Sequence, residues 1–300
     1  CCVSCFHNNK YSNFSWIINM NWNRLDWLCF NWSQWIPLES PIQVYQNHIT
    51  KNPGLYRVRI THNRKLAYIG QTGRDLRERT RQLSSKVNNN QDNPPWNDPH
   101  TAAPALWAWK IENNYRYEVS VFAIDLAIRE RQCVEDMLLY EYRLEAKEST
   151  LANHGRCHPK WTRPGNRRSN NMMKRIQPSN NLSWGESLLP VDEMGKPVDS
   201  NWLNLDWTEL NNLNKDLGSV PSESGVYRLL NKENIVYLGE TKNLHSRLIS
   251  HAKKYDQFNL RFSYCEMKEA KPYHLKERET DLIGAFYKHE RQTPLYQYGH

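Results

Sequence analysis

Two stretches of the chain, GLYRVRITHNRKLAYIG at residues 54–70 and GVYRLLNKENIVYLG at residues 225–239, have the same layout. In each, a Gly-x-Tyr tripeptide begins one short alternating run and a Tyr-x-Gly tripeptide ends a second. Turn-forming residues separate the runs, THNRK in the first stretch and NKEN in the second. This alternation predicts a β-hairpin in each stretch, with its two tyrosines on neighbouring strands and able to point to one face.

A helix is predicted directly after each hairpin, and a second helix further along. The distance from the hairpin to the later helix differs, because Gly70 precedes Glu135 by 65 residues and Gly239 precedes Glu279 by 40. The layout indicates an internal repeat whose first copy carries extra sequence. The early helices are RDLRERTRQL (74–83) and KNLHSRLISHAKKY (242–255), and the later ones are RERQCVEDMLLYEYRLEA (129–146) and HLKERETDLIGAFYKH (274–289).

A tryptophan motif also recurs, as NWNRLDW at residues 21–27 and NWLNLDW at 201–207. We interpret it as a buried aromatic brace in front of each hairpin; the alternative is a surface on which bases stack. The repeats predict an N-terminal domain at 1–153 with a tryptophan-rich extension, a linker at 154–195 and a C-terminal domain at 196–300.

The net charge of +8 is unevenly distributed along the 300 residues. Residues 1–180 hold 25 Lys and Arg against 15 Asp and Glu, whereas residues 181–300 hold 15 against 17. The basic half is therefore the candidate polyanion binder, with duplex DNA as the expected partner. Asn170 and Asn171 are candidates for contacts to base edges. The candidate DNA-binding cations are Arg74, Arg77 and Arg81 in the early helix and Arg156, Lys160, Arg163, Arg167, Arg168, Lys174 and Arg175 in the linker.

Seven cysteines, an odd number without paired spacing, favour free thiols in a reducing compartment, and we expect the cytoplasm. Cys2 and Cys5, with His7 and Cys29 nearby, allow a zinc site, although the alternative is an ordinary N-terminal segment. No apolar run approaches the roughly 20 residues of a membrane helix, and no secretory signal is visible.

Each copy carries two tyrosines, one arginine and one glutamate in the same order. Hydrolysis of a phosphodiester needs an activated water, a stabilised phosphate charge and a neutralised leaving oxygen. Arginine fits the phosphate, and a lone carboxylate can hold one Mg²⁺ that keeps most of its waters. Taken singly, such residues are more often packing tyrosines and solvated charges. The two sets are Tyr56, Tyr68, Arg79 and Glu135, and Tyr227, Tyr237, Arg247 and Glu279.

These residues resemble the GIY-YIG nuclease domain, over roughly residues 50–153 and 220–298. The resemblance implies an α/β (α+β) fold of two tandem small domains, each a three-stranded antiparallel sheet flanked by helices. It implies phosphodiester hydrolysis with one Mg²⁺ or Mn²⁺ per site, held by Glu135 and Glu279. The first tyrosine of each copy would position or deprotonate water, the second would line the site, and the arginine would stabilise the transition state.

Each copy departs from the family pattern at a different place. Members usually carry His or Tyr four residues after the arginine, which His251 satisfies and Leu83 does not. They also tend to carry Asn after the late helix, which Asn153 satisfies, whereas the second copy offers Gln297. His100 is placed like a histidine that some members use, although it is otherwise a loop residue.

The leading hypothesis is a restriction- or defence-type endonuclease whose two copies act as an intramolecular pseudo-dimer and cut both strands. One alternative is a repair nuclease for structured or damaged DNA, and another is a DNA-binding protein with one or both copies degenerate. A monomer or a homodimer is compatible with each.

Overall fold

The computed structural model of the protein describes residues 21–89, 102–162 and 173–299. Its strands form two antiparallel sheets with the same strand order, β1-β4-β2-β3 and β5-β8-β6-β7. Each sheet has four strands, whereas three were predicted. The additional strand in each sheet lies at its edge and is two residues long. The strands are β1 (Ile36–Pro37), β2 (Gly54–Ile60), β3 (Leu66–Thr72) and β4 (Tyr117–Ala123), then β5 (Asn211–Asn212), β6 (Gly225–Asn231), β7 (Asn234–Thr241) and β8 (Arg261–Glu266).

The four predicted helices are confirmed, with shifted ends. Part of the extra sequence of the first copy forms a further helix, which is almost wholly buried against the first sheet's own core. In the second copy, residues 255–260 alone join the early helix to the last long strand. The helices are α1 (Ile42–His48), α2 (Leu76–Val87), α3 (Ala103–Asn113), α4 (Ile128–Ala146), α5 (Leu244–Lys254) and α6 (Pro272–Glu290).

Both glycines of each hairpin are required by close packing. A Cβ at Gly70 would lie 2.5 Å from a ring carbon of Tyr68 and 2.7 Å from the Tyr56 hydroxyl. A Cβ at Gly54 would meet the carbonyl of Phe122 and lie 2.8 Å from Leu76, at the start of α2. The Gly-x-Tyr glycine therefore lets the early helix press on the sheet, and the Tyr-x-Gly glycine leaves room for both phenol rings.

Helices α4 and α6 pack against each other and join the two halves. Thr280 Oγ1 donates a hydrogen bond to Asp136 Oδ1 over 3.3 Å, and each of these residues directly follows the glutamate of its half. One turn further on, a Cβ at Gly284 would lie 2.6 Å from the Cβ of Tyr140. Corresponding positions of the two helices thus face each other, as in the interface of a two-fold dimer.

The tryptophan motif is buried, but its predicted register is wrong. Trp32 Nε1 donates to Trp27 O over 3.2 Å, and Trp207 Nε1 donates to Trp202 O over 3.0 Å. The equivalent sequences are therefore WLCFNW at 27–32 and WLNLDW at 202–207, rather than the 21–27 and 201–207 segments. Because Leu28 and Leu203 both have left-handed backbones, with φ of 56° and 58°, the two motifs also share their bend.

A buried arginine fills the same place beside each motif. Arg57 lies 4.3 Å from the centroid of the Trp32 ring, and Arg228 lies 4.4 Å from that of Trp207. Both guanidinium groups donate to backbone carbonyls, Arg57 to Trp22 O and Arg228 to Pro197 O, each over 2.6 Å. The motif is thus a packed brace, which supports that interpretation over base stacking.

The segment at 154–195 is packed rather than extended where the structure describes it. Arg156 is 4% exposed and its Nη1 lies 2.6 Å from Glu277 Oε1 of α6. The amide of Ser149 donates to Ser187 Oγ over 3.0 Å, and Val191 is buried in the core between the halves. This segment therefore helps to hold the two halves together.

No helix in the described part of the chain is long and apolar enough to cross a bilayer. Of the described cysteines, Cys133 and Cys265 are buried free thiols. The possible zinc ligands Cys2, Cys5 and His7 lie outside the described residues, and within residues 21–89, 102–162 and 173–299 no three His, Cys, Asp or Glu side chains are grouped to hold a metal.

Candidate active site

In the C-terminal half, a chain of hydrogen bonds joins an arginine, a phenol and an imidazole. Arg247 Nε donates to the Tyr227 hydroxyl over 2.9 Å, and that hydroxyl lies 2.8 Å from His251 Nε2. Arg247 Nη2 also donates to the hydroxyl of Tyr237 over 3.3 Å. Since the Tyr227 oxygen accepts from Arg247, its own proton is directed toward His251.

Local structure explains why these groups meet. Asn243 caps α5 by accepting from Ser246 N over 2.8 Å, and Arg247 follows one turn later on the face toward the sheet. His251 lies a further turn along, so Arg247 and His251 share one helix face. Tyr227 pairs with Gly239 across the hairpin, and the Tyr227 and Tyr237 rings stack over that glycine with centroids 5.9 Å apart.

Glu279 approaches this cluster from α6. It is partly buried, and burial raises the pKa of its carboxyl to about 7; the charge of Glu240 adds to the rise, whereas Lys276 and Arg247 oppose it. Glu279, Tyr237, Arg247 and His251 line one cavity of about 410 Å³, which we call the C-terminal cavity.

Residues 223–292 match the GIY-YIG catalytic domain. The matched segment contains Tyr227, Tyr237, Arg247, His251 and Glu279, which meet in the structure as described above. The GIY-YIG domain indicates a nuclease family, and a nuclease domain implies DNA as substrate. No curated protein matches the chain.

The N-terminal half places its predicted residues in the same arrangement outside the matched segment. Arg79 Nε donates to the Tyr56 hydroxyl over 3.2 Å, and the Tyr56 and Tyr68 rings have centroids 5.9 Å apart. Asp75 caps α2 by accepting from Glu78 N, so Arg79 occupies the same helical position as Arg247. Leu83 replaces the histidine and is fully buried in the core.

Glu135 reaches the N-terminal site from α4. Burial raises the pKa of its carboxyl to about 7, against the opposing charges of Arg79 and Arg131. Glu135 lines a cavity of about 290 Å³ together with Tyr68, and Glu279 of the other half lines it too. We call this the shared cavity; it adjoins the C-terminal cavity, since Asp136, Thr280 and Tyr298 line both.

The residue after the late helix holds the Tyr-x-Gly strand in both halves. Asn153 Oδ1 accepts from Ile69 N over 3.0 Å, and its Nδ2 donates to Ile69 O over 2.9 Å. Gln297 Oε1 accepts from the corresponding Leu238 N over 3.1 Å. Gln297 therefore takes the place of the asparagine that the sequence comparison found missing, and both amides act by positioning backbone rather than by touching a reacting atom.

The predicted DNA-binding residues have different fates. Arg156 is buried in its ion pair with Glu277, so the prediction of a surface contact is wrong for it. Arg77 is partly buried and donates from Nε to Ile49 O at the end of α1, and its predicted contact to DNA stays a prediction. Lys160 and Arg175 are exposed but paired with Glu112, and Arg81 is paired with Glu78. Arg74 and Lys174 are exposed. His100, Arg163, Arg167, Arg168, Asn170 and Asn171 lie outside the described residues.

Several lining residues escaped the sequence analysis. Asp136 accepts a hydrogen bond from the Tyr298 hydroxyl and lies between the two glutamates. Burial raises the pKa of its carboxyl well above the ordinary value, and the charges of Glu135 and Glu279 raise it further. Arg131 donates from Nε to Gln71 Oε1 over 2.8 Å and lines an open groove beside Arg74 and Arg79, which we call the outer groove. For Asp136, the available signal was its position directly after Glu135 in the sequence. For Arg131, it was the helix face that Arg131 shares with Glu135 four residues later.

Protonation states follow from these contacts. Burial raises the pKa of Tyr56 and of Tyr227, and the neighbouring arginines oppose the rise, so both phenols are protonated at neutral pH. Burial and the charges of Arg247 and Lys254 lower the pKa of His251 to about 4. His251 is therefore a neutral imidazole whose Nε2 can accept a hydrogen bond from the Tyr227 hydroxyl.

Proposed function

We propose that the protein is a divalent-metal-dependent DNA endonuclease in which both halves cleave, so that one chain cuts both strands of a duplex. The observation that carries this proposal is the repeated Arg–Tyr hydrogen bond, Arg79 to Tyr56 and Arg247 to Tyr227, beside a partly buried glutamate in each half. The family match covers one half, and the second catalytic unit rests on this equivalence of geometry.

The glutamates suit a divalent cation. No described residue donates a side-chain hydrogen bond to Glu135, and the charges of Arg79 and Arg131 offset the cost of burying its carboxylate only in part. Glu135 and Glu279 would each hold one Mg²⁺ or Mn²⁺, which when bound polarises the phosphate and lowers the pKa of its water. The protein's own groups orient the attacking water and stabilise the phosphate charge.

In the C-terminal half, the hydrogen-bond chain supports a route for the proton. Tyr227 takes a proton from the attacking water as it passes its own proton to His251. Arg247 stabilises the negative charge that develops on the Tyr227 oxygen during this exchange. Arg247 also faces the cavity and offers its guanidinium to the phosphate. In the N-terminal half no histidine on α2 takes the proton of Tyr56, so Tyr56 stays protonated and, held by Arg79, orients the attacking water without accepting its proton.

The closeness of the two sites supports cleavage of both strands. The C-terminal cavity and the shared cavity have lining residues in common, and corresponding residues of α4 and α6 face each other. Two scissile phosphates on opposite strands are thus presented to one continuous surface. Arg74 lines the outer groove, where its exposed guanidinium would offer a cation to the DNA backbone.

The test uses Glu135→Gln and Glu279→Gln on supercoiled plasmid with Mg²⁺. Each single variant should nick the plasmid without linearising it, and the double variant should leave it intact. Glu148→Gln, at an exposed residue paired with Lys65, is the matched control and should linearise at the wild-type rate. Full linearisation by either single variant would contradict the proposal that both halves cleave.

The biological class is a further part of the proposal. We propose restriction or defence, because a paired site suits the cleavage of both strands of intact duplex. Digestion of phage and plasmid DNA should yield discrete bands. Preferential cutting of branched or flap DNA would instead favour a repair nuclease.

A second candidate function rests on the N-terminal half. Since Leu83 replaces the histidine there, that half would act as a DNA-binding scaffold beside one active site. In that case Glu279→Gln would abolish all cleavage, whereas Glu135→Gln would leave nicking unchanged.

A further inference from the structure

His154 is a buried histidine to which the functions described above give no role. It directly follows Asn153, whose amide is fixed to Ile69 between Tyr68 and Gly70. Its backbone is left-handed, with φ of 56°, which few residues other than glycine adopt. The local chain thus places the backbone of His154 beside the Tyr-x-Gly strand.

Both ring nitrogens of His154 lack a hydrogen-bond partner among the described residues, although the side chain is only 9% exposed. Buried polar atoms of this kind are uncommon and often mark a place that a ligand fills. His154 lines the shared cavity with Tyr68 and Glu135, and that cavity is the space in which the N-terminal site would hold its substrate.

Charges of both signs line the cavity beside His154, and its acids are Glu135, Asp136 and Glu279. Arg156 and Lys276 line the same cavity, and Lys276 comes from the C-terminal half. Burial and the charges of Arg143, Arg156 and Lys276 hold the pKa of His154 well below its ordinary value, so the ring is neutral and carries one N–H donor. A neutral ring N–H that lacks an acceptor within the protein suits an oxyanion such as a phosphate oxygen.

We propose that His154 is a substrate-contacting residue of the N-terminal site and donates a hydrogen bond to a phosphate oxygen of the DNA in the shared cavity. This inference rests on the proposed function, because it assumes that the N-terminal half cleaves. His154, from the segment after α4, would give the N-terminal half an imidazole. On α2, Leu83 occupies the position that His251 has in the C-terminal half.

The test isolates one half at a time. With Glu279→Gln only the N-terminal half cuts, and adding His154→Gln should slow nicking by about 10²-fold. With Glu135→Gln only the C-terminal half cuts, and adding His154→Gln should change nicking by less than about 2-fold. Equal losses in both backgrounds, or none in either, would overturn the proposal.

His158→Gln is the matched control. His158 is also buried, but its Nε2 lies 3.0 Å from Asn113 Oδ1 and its Nδ1 accepts from Lys160 N over 3.1 Å. Because its ring is satisfied within the protein, His158→Gln should leave nicking unchanged relative to its parent in both backgrounds, once unfolding temperatures show that the variants are folded.

A second measurement needs neither a variant nor cleavage. Inorganic phosphate is titrated into the wild-type protein while the ring ¹⁵N signals of its histidines are followed. The His154 signals should shift and those of His158 should stay, whereas an unmoved His154 ring at saturating phosphate would overturn the proposal. If Glu279→Gln fails to nick at all, the proposed activity of the N-terminal half is wrong, and this titration still decides the role of His154.

Discussion

The side-chain oxygen of Gln297 accepts a hydrogen bond from the backbone nitrogen of Leu238 over 3.1 Å and so holds the strand that carries Tyr237. Asn153 makes the corresponding contact to Ile69. The two amides reach the same strand position from different backbones, because Gln297 has one more methylene group than Asn153.

We expect Asn153→Ala and Gln297→Ala to destabilise the protein and to slow cleavage by the half concerned. Each variant leaves a buried backbone N–H of the hairpin unpaired, which costs about 1–3 kcal/mol of unfolding free energy. Urea unfolding and strand-resolved nicking would measure the two effects. Asn211→Ala is the control, since that amide donates to Glu209 O at the surface and its loss should leave both readouts unchanged.

We expect Glu135→Gln and Glu279→Gln to stabilise the metal-free protein at pH 8. Burial raises the folded pKa of both carboxyls to about 7, so folding loses stability as pH rises from the unfolded pKa to the folded one. Gln has no charge to desolvate, and the gain should be about 1–3 kcal/mol at pH 8 and close to zero at pH 4. Thermal unfolding at both pH values, with EDTA present, would measure this gain in stability. A gain of equal size at pH 4 and pH 8 would show that the raised pKa is not its cause.

The same carboxyls predict how metal binding depends on pH. A proton and a divalent cation compete for the carboxylate, so the apparent affinity for Mn²⁺ should rise about tenfold per pH unit below pH 7 and level off above it. Calorimetry with Mn²⁺ at pH 5.5, 6.5 and 8 would measure this. An affinity that is flat across the three values would contradict the assignment of Glu135 and Glu279 as ligands.

We expect His251→Leu to make the C-terminal half resemble the N-terminal one. Without the imidazole, Tyr227 keeps its bond to Arg247 but loses the acceptor for its proton, and general-base assistance of this kind is worth about 10²–10⁴-fold. Nicking should be followed in the Glu135→Gln background, in which the C-terminal half acts alone. His245→Leu, on the same helix outside this hydrogen-bond chain, is the control, and an equal loss there would point to the fold instead.

We expect Gly70→Ala and Gly239→Ala to disturb the paired tyrosines. A Cβ at Gly239 would lie 2.7 Å from the hydroxyl of Tyr227 and 2.7 Å from a ring carbon of Tyr237, so one ring must move. The cost should be about 1–3 kcal/mol of unfolding free energy, with loss of cleavage by that half. Gly218→Ala has nothing within 4 Å of its new Cβ and should change neither property.

The hairpins, their turns and the four predicted helices could be derived from the sequence because they depend on local periodicity. The pairing of each tyrosine with its arginine also followed, since Tyr56 and Tyr227 precede Arg79 and Arg247 by similar distances on similar elements. The late helices carried Glu135 and Glu279 to the same sites for the same reason.

Local similarity was misleading where packing decides equivalence. NWNRLDW and NWLNLDW share more letters, yet Arg57 and Arg228 select Trp32 and Trp207 as partners, which aligns WLCFNW with WLNLDW. A run of cations also predicted DNA contacts for Arg156, but the carboxylate of Glu277, distant in sequence, takes its charge inside the protein.

The sequence by itself determined the two α/β units and the kinds of side chain that each brings to its site, because strand and helix periods and helix caps act over a few residues. Only the tertiary structure decided that α4 and α6 cross with Asp136 opposite Thr280, so that Glu135 and Glu279 line one shared cavity. That outcome depends on the shapes of two distant helix surfaces and on the closeness that Gly284 allows, which no local pattern encodes.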